Sequence, residues 1–213
     1  MDSKYTKVES SAGYGIALRV YRGHFATPQA HVNCYLDMTD IKSRETEAQR
    51  LAKALAGHYQ TSTLIDTIVC FEDTDVVGAY LAEALTHAGF QSMNLHQTIY
   101  VTHPQNSTGG QMIFLDNQKH MISGKNVLLL MSAISTGHTA DQALDCVRYY
   151  GGQIAGICSI FSGVKSIENI LVAAAFTEAD LPGYGVYKPN ECPYCHAGTK
   201  IDGMVVPQGF IKL

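Results

Sequence analysis

Three apolar runs that do not alternate constrain this chain more than any other feature. Leu64 to Phe71, Val127 to Leu130 and Ile154 to Phe161 lack the period-two polarity of a strand with one wet face. Such strands need cover on both faces, which helices supply in a parallel sheet. Helical spacing fills the gaps between the runs. Val77, Tyr80, Leu81, Ala84, Leu85 and Ala88 share one face of a segment that Asp75 can cap and Gly89 can stop. From about Thr139 to Tyr150, Ala140, Ala143, Leu144 and Val147 point inward, with Gly151 beyond the end. The alternation predicts an α/β fold, with a mostly parallel sheet flanked by helices.

The ends of the chain follow another rhythm. Ala17 to Tyr21 and His31 to Leu36 are short strand candidates, and a helix fits from about Ser43 to Tyr59, where Ala48, Leu51, Ala52, Leu55 and Ala56 form one stripe. Shorter strand candidates fall at Gln97–Thr102, Gln111–Leu115 and Gly183–Lys188, and the chain beyond Pro189 reads as irregular. We therefore expect one domain over residues 1–213, with 1–60 and 183–213 forming hood and tail elements around a 61–182 core. With 46% hydrophobic and 16% charged residues the chain has ample core for this. A net charge of -4 gives no electrostatic reason to expect nucleic acid or an anionic membrane as partner. Met1-Asp2-Ser3-Lys4-Tyr5 carries no apolar run behind a basic stretch, and no apolar run approaches membrane-spanning length, so a soluble protein is expected.

Chemistry concentrates in Ser135-Thr136-Gly137-His138-Thr139, where a buried strand gives way to a helix. Three hydroxyls, a glycine and the free amides of a helix start are the parts of a phosphate cradle. They are also the parts of an ordinary capped turn, and the loop by itself leaves both readings open. His138 could lend a proton-dependent charge to a bound phosphate, or simply be an exposed first-turn residue; the second is preferred.

Strand and loop together, Leu128-Leu129-Leu130-Met131-Ser132-Ala133-Ile134-Ser135-Thr136-Gly137-His138-Thr139, resemble the phosphoribosyl-diphosphate (PRPP) motif of the type I phosphoribosyltransferases. Further elements extend the resemblance toward the orotate branch. Gly23-His24-Phe25 with Tyr35 and Asp37 is similar to its amino-terminal segment. Asp66 to Gly78 stands where its pyrophosphate loop does, and Asp116 to Lys125 where its mobile catalytic loop does. The tail Cys192-Pro193-Tyr194-Cys195-His196-Ala197-Gly198 is similar to a Cys-Pro-x-Cys-x-x-Gly ending. The resemblance implies a cytoplasmic homodimer that transfers phosphoribose from PRPP to a base, orotate by default, with Mg²⁺. Ser135, Thr136, Gly137, His138 and Thr139 would hold the 5′-phosphate. Glu72, Asp73, Thr74 and Asp75 would form the pyrophosphate loop. Lys119 would act catalytically, typically in the site of a dimer mate, and Phe25 and Lys165 would lie on the base side.

Three departures from the motif open a second reading. The acidic pair expected to hold the ribose hydroxyls is Met131-Ser132. Losing two charge-assisted bonds would cost roughly 3–6 kcal/mol of binding. The turn Glu72-Asp73-Thr74-Asp75 sets three carboxylates where an anion should sit; they either gather Mg²⁺ or form a solvated loop with Asp75 as helix cap, the latter preferred. Lys165 stands where an arginine suited to a carboxylate is expected. The second reading is a catalytically silent protein of this fold that binds a nucleoside monophosphate or another phosphate ester in a regulatory role. Metal-dependent phosphate-ester chemistry on Glu72, Asp73 and Asp75 ranks third.

Cys192 and Cys195, with His196 beside them, make half a zinc site, which Cys34, Cys146 or Cys158 would complete only if folding brings one near, or a dimer mate would complete with a second pair. A tail turn that packs its cysteines is preferred, so zinc is not expected. Tyr149, Tyr150, Tyr184 and Tyr187 read as packing or interface aromatics.

Overall fold

The computed structural model describes residues 5–87, 89, 92–95, 97–206 and 209–213; Met1 to Lys4 and Ala88 lie outside them. The chain starts with strands β1 (Thr6–Glu9), β2 (Ala17–Ala26) and β3 (His31–Asp37), then helices α1 (Thr39–Ser43) and α2 (Glu45–Ala56). The middle follows as β4 (Thr67–Cys70), α3 (Asp75–Thr86), β5 (Tyr100–Thr102), β6 (Gln105–Asn106), β7 (Met112–Ile113), β8 (Asn126–Ile134), α4 (His138–Tyr149) and β9 (Gln153–Ser162). The last part holds β10 (Ser166–Ile167), β11 (Ile170–Thr177), β12 (Val186–Tyr187), α5 (Pro193–His196), β13 (Gly203–Val206) and β14 (Gly209–Lys212).

The unalternating runs sit where two-sided burial demands. The central sheet has the order β10-β11-β9-β8-β4-β5, with β11, β9, β8, β4 and β5 parallel and β10 antiparallel at the edge. Strand β8 shows why its sequence cannot alternate. Leu128 and Leu130 enter one core with Ile68 and with residues of α2 and α3. Val127, Leu129 and Met131 enter another with Ala140, Ala143, Leu144 and Val147 of α4. Each fully buried aliphatic side chain of this kind contributes about 1.5–3 kcal/mol.

The second sheet joins the two ends of the chain, in the order β12-β3-β2-β13-β14 with β1 on β2. Leu18, Val20 and Cys34 from this hood share the core that holds Ile68, Leu128 and Phe176. The tail is thus more ordered than its sequence suggests. β13 and β14 pair with each other, and β13 runs parallel to β2 through Gly203↔Phe25 and Met204↔Ala26.

Other expectations shift locally. The helix expected from about Ser43 to Tyr59 is α2, which buries the expected stripe and ends at Ala56; the short α1 precedes it, set off by the extended Arg44 (φ -90°, ψ 128°). Gln111–Leu115 yields only the two residues of β7, which pair with β6 outside the central sheet. Thr74, not Asp75, is the N-cap residue of α3, and Asp75 opens the helix. No helix among the described residues is long and apolar enough to cross a membrane.

Candidate functional site

A cleft of about 740 Å³ opens at the carboxyl ends of β4 and β8, with residues of the hood on its other side. This is where ligands bind in open parallel sheets. Ser135 to Thr139 all line it. Gly137 is the N-cap of α4 with φ 92°, and a Cβ there would lie 2.6 Å from Ile167 Cδ1. Glycine is therefore required by conformation and by space. Asp141 is the first residue of α4 whose amide bonds within the helix, to Gly137 O at 2.9 Å. The amides of His138, Thr139 and Ala140 before it find no acceptor within the helix, and the positive end of the helix lies behind them. The Ser135 hydroxyl lies 3.2 Å from that of Tyr184, which stands edge-on to Phe161. Burial pushes the Tyr184 phenol up to about 12.

The acidic turn is built under strain. Glu72 and Asp73 occupy the left-handed region at φ 56° and 61°, costing about 1–3 kcal/mol each. The fully buried Thr74 hydroxyl pins the turn from inside, 2.9 Å from Phe71 O and 3.2 Å from Leu130 O. Thr74 is thus a structural pin and does not line the cleft, contrary to its expected place beside pyrophosphate. The strained backbone throws the Glu72 carboxylate across to β8, where it accepts from the Ser132 hydroxyl and faces Ala133 N at 3.4 Å. A carboxylate therefore stands at the Met131-Ser132 position from a neighbouring strand end. Met131 itself is fully buried in the core beneath α4. Asp75 holds His103 Nδ1 at 2.8 Å, and Lys42 Nζ donates to Glu72 O at 2.8 Å.

Several expected site residues lie elsewhere. Phe25 is buried among the hood aromatics, 6.1 Å from Tyr35 and 5.8 Å from Phe210, so Tyr35 lines the cleft instead. Lys165 is exposed in the connection leaving β9, its carbonyl accepting from Val172 N, and does not reach the cleft. Lys119 pairs with Asp116 at 2.5 Å and lies over the Tyr150 ring. Its short 3₁₀ turn (Lys119–Met121) is tied to the first residue of β4, since the Thr67 hydroxyl donates to Met121 O. The Asp116–Lys125 segment thus closes the amino ends of the strands, opposite the cleft. The segment that does reach the cleft after β5 runs from His103 to Met112 and contains neither lysine nor arginine. Among the described residues, Lys42 is the one lysine or arginine lining the cleft.

Lys42 and His103 carried no local signal, and Tyr35 and Tyr184 none that placed them in a cleft, because only the tertiary fold brings the four to it. The half-site of Cys192 and Cys195 is likewise met by unexpected residues. Cys34 and Cys158 lie in the main core and Cys146 bonds Met112 O, whereas His24 and His31 approach the pair.

No protein-family model matches the chain. It is 24% identical over 151 residues to a transcriptional regulator GfcR of Methanocorpusculum labreanum, covering 67% of this chain and 71% of the relative. It is also 24% identical over 122 residues to the orotate phosphoribosyltransferase of Staphylococcus aureus (strain N315), and spans 57% of that enzyme's length. Among solved structures, Leishmania donovani UMP synthase superposes with a TM-score of 0.55 at 14% identity, over 84% of this chain and 36% of its own. Mycobacterium tuberculosis orotate phosphoribosyltransferase, solved with Fe(III) dicitrate, superposes with a TM-score of 0.52 at 16% identity, over 78% of this chain and 93% of its own. The fold is that of the type I phosphoribosyltransferases. Within that class the chain resembles the orotate phosphoribosyltransferase branch.

Proposed function

We propose that the cleft binds a 5-phosphoribosyl ester and transfers its phosphoribosyl group to a nitrogenous base, orotate being the base that the resemblance suggests. The observation that carries this reading is the loop Ser135–Thr139, whose open amides and hydroxyls line the cleft at a helix start. It would hold the 5′-phosphate. Beside it, the Glu72 carboxylate on Ser132 would accept from the ribose hydroxyls in place of the missing acidic pair. The ring nitrogen of the base would supply the electron pair of the new bond to C1, while the pair of the broken C1–O bond leaves with pyrophosphate. Positioning and charge stabilisation are then the protein's contribution. Glu72 and Asp73 offer hard oxygen donors at the cleft and fit Mg²⁺, which would neutralise charge on the departing pyrophosphate. The resemblance also supports a cytoplasmic homodimer, of which sedimentation analysis tests the dimer.

One observation favours the second reading, a silent phosphate-ester binder with a regulatory role. Lys42 is the single lysine or arginine of the described cleft, and it faces a turn with three carboxylates. Pyrophosphate has few cations to meet there. Calorimetric titration with PRPP and Mg²⁺, followed by an assay of pyrophosphate release on adding orotate, separates the two. Saturable PRPP binding with release supports transfer. Binding of orotidine monophosphate without PRPP binding overturns transfer in favour of the silent binder.

A further inference from the structure

A second site lies in the hood, built from residues 168 positions apart. His24 belongs to β2 at a bulge: Arg22 faces Cys34 and Phe25 faces Val32, so β2 advances three residues while β3 advances two. The extra residue turns His24 inward, where it is 1% exposed. The tail closes over this bulge. His24 N donates to Asp202 Oδ2 at 2.8 Å and Asp202 N donates to His24 O at 2.7 Å, while a Cβ on Gly23 would lie 2.6 Å from that carboxylate. His31 opens β3 beside it.

Four ligand atoms converge there. His24 Nε2 lies 3.0 Å from His31 Nδ1, 3.5 Å from Cys192 Sγ and 3.7 Å from Cys195 Sγ, and Cys195 Sγ lies 3.3 Å from His31 Nδ1. All four atoms are within 4.8 Å of one another. Hydrogen bonds alone leave this set under-partnered, because the other nitrogen of His24 sits 3.0 Å from Thr199 O. That carbonyl can only accept, so Nδ1 carries the proton and Nε2 offers one lone pair to three neighbours. Tetrahedral zinc, with bonds of about 2.3 Å to sulfur and 2.0–2.1 Å to nitrogen, places its ligand atoms about 3.3–3.8 Å apart. The four separations given above, 3.0, 3.3, 3.5 and 3.7 Å, fall in or just below that range. A carbonyl holding the far ring nitrogen is also the usual outer partner of a metal-bound histidine.

We propose that His24 Nε2, His31 Nδ1, Cys192 Sγ and Cys195 Sγ bind one Zn²⁺ as a closed structural site. Two thiolates and two imidazoles in a tetrahedral set suit zinc over the oxygen-seeking cations. Four protein ligands leave no open position, so the ion supplies no chemistry. Cys192 caps the short helix α5, which Pro193 starts and which carries Cys195, and Tyr194 stacks on the His24 ring at 5.4 Å. His196 points away to Asn190 O and is not a ligand. The site staples the tail to β2 and β3. It thereby fixes β13 and β14, whose Val205, Val206 and Gly209 line the cleft. The assignment does not depend on what the cleft binds.

Elemental analysis of the full chain, purified without chelators, tests the proposal directly. We expect about one zinc per chain. Chelator-stripped protein given Co²⁺ should develop the strong visible bands of a tetrahedral site and thiolate-to-cobalt absorption in the near ultraviolet. Cys195→Ser, at the exposed ligand, should weaken Co²⁺ binding by at least about 100-fold, beyond the loss typical of outer partners. Cys34→Ser should leave it unchanged. Wild-type protein that lacks zinc and gives no cobalt spectrum overturns the proposal, as does a Cys192–Cys195 disulfide found by thiol counting in denaturant. The wild-type cobalt spectrum decides the matter even if a variant fails to fold.

Discussion

The Ser132 hydroxyl donates to the Glu72 carboxylate, joining the end of β8 to the strained turn after β4. One acid is thereby returned to a motif whose own acidic pair is absent. Glu72 reaches it from a turn in which two successive non-glycine residues take left-handed backbone.

If this carboxylate receives the ribose hydroxyls, Glu72→Gln will weaken a ribose 5-phosphate ester and spare inorganic phosphate. The expected loss is about 1.5–3 kcal/mol, roughly 10- to 100-fold in Kd, as for a hydrogen bond to a charged group. Parallel calorimetric titrations with the ester and with phosphate check this. Equal losses for both ligands would contradict the assignment.

Gly137→Ala tests the loop. With φ 92° and Ile167 Cδ1 at 2.6 Å from the added carbon, alanine must shift the start of α4. Stability should fall by about 1–3 kcal/mol, read by urea denaturation, with phosphate affinity falling alongside.

Tyr184 gives the fold an alkaline edge. Burial holds its phenol neutral up to about 12, whereas an exposed tyrosine ionises near 10. Between those values the unfolded chain binds fewer protons, so stability is complete below pH 10 and falls as pH rises toward 12. Tyr35, raised to about 12 by burial and Asp37, acts in the same direction. Tyr184→Phe should therefore flatten the decline between pH 10 and 12 by about 2 kcal/mol, measured by denaturant titration across that window.

The central sheet was legible because strands covered on both faces cannot alternate, and β4, β8 and β9 show this openly. The loop from Ser135 to Thr139 was legible because its residue types and its place between strand and helix are both local. Strand β11 was missed: Ala173, Ala174 and Ala175 give it little strand character, and its parallel pairing with β9 confers its structure. The tail strands were missed for a like reason, since β13 joins β2 across most of the chain's length. Lys119 stands away from this chain's own cleft, because its polar stretch leads directly into the amino end of β8. The Thr67–Met121 contact, made 54 residues apart, then ties the segment to the start of β4 as well. The zinc quartet was half visible, because Cys192 and Cys195 share one turn while the bulge that aims His24 exists only in paired strands.

The most direct test of the account is a calorimetric titration of orotidine monophosphate into wild-type protein, Thr136→Val/Thr139→Val and Lys119→Ala. The account predicts saturable one-to-one binding to wild type, a loss of about 10-fold or more when the two loop hydroxyls are removed, and unchanged affinity for Lys119→Ala. No saturable binding to wild type, or binding undiminished in the loop variant, would contradict it.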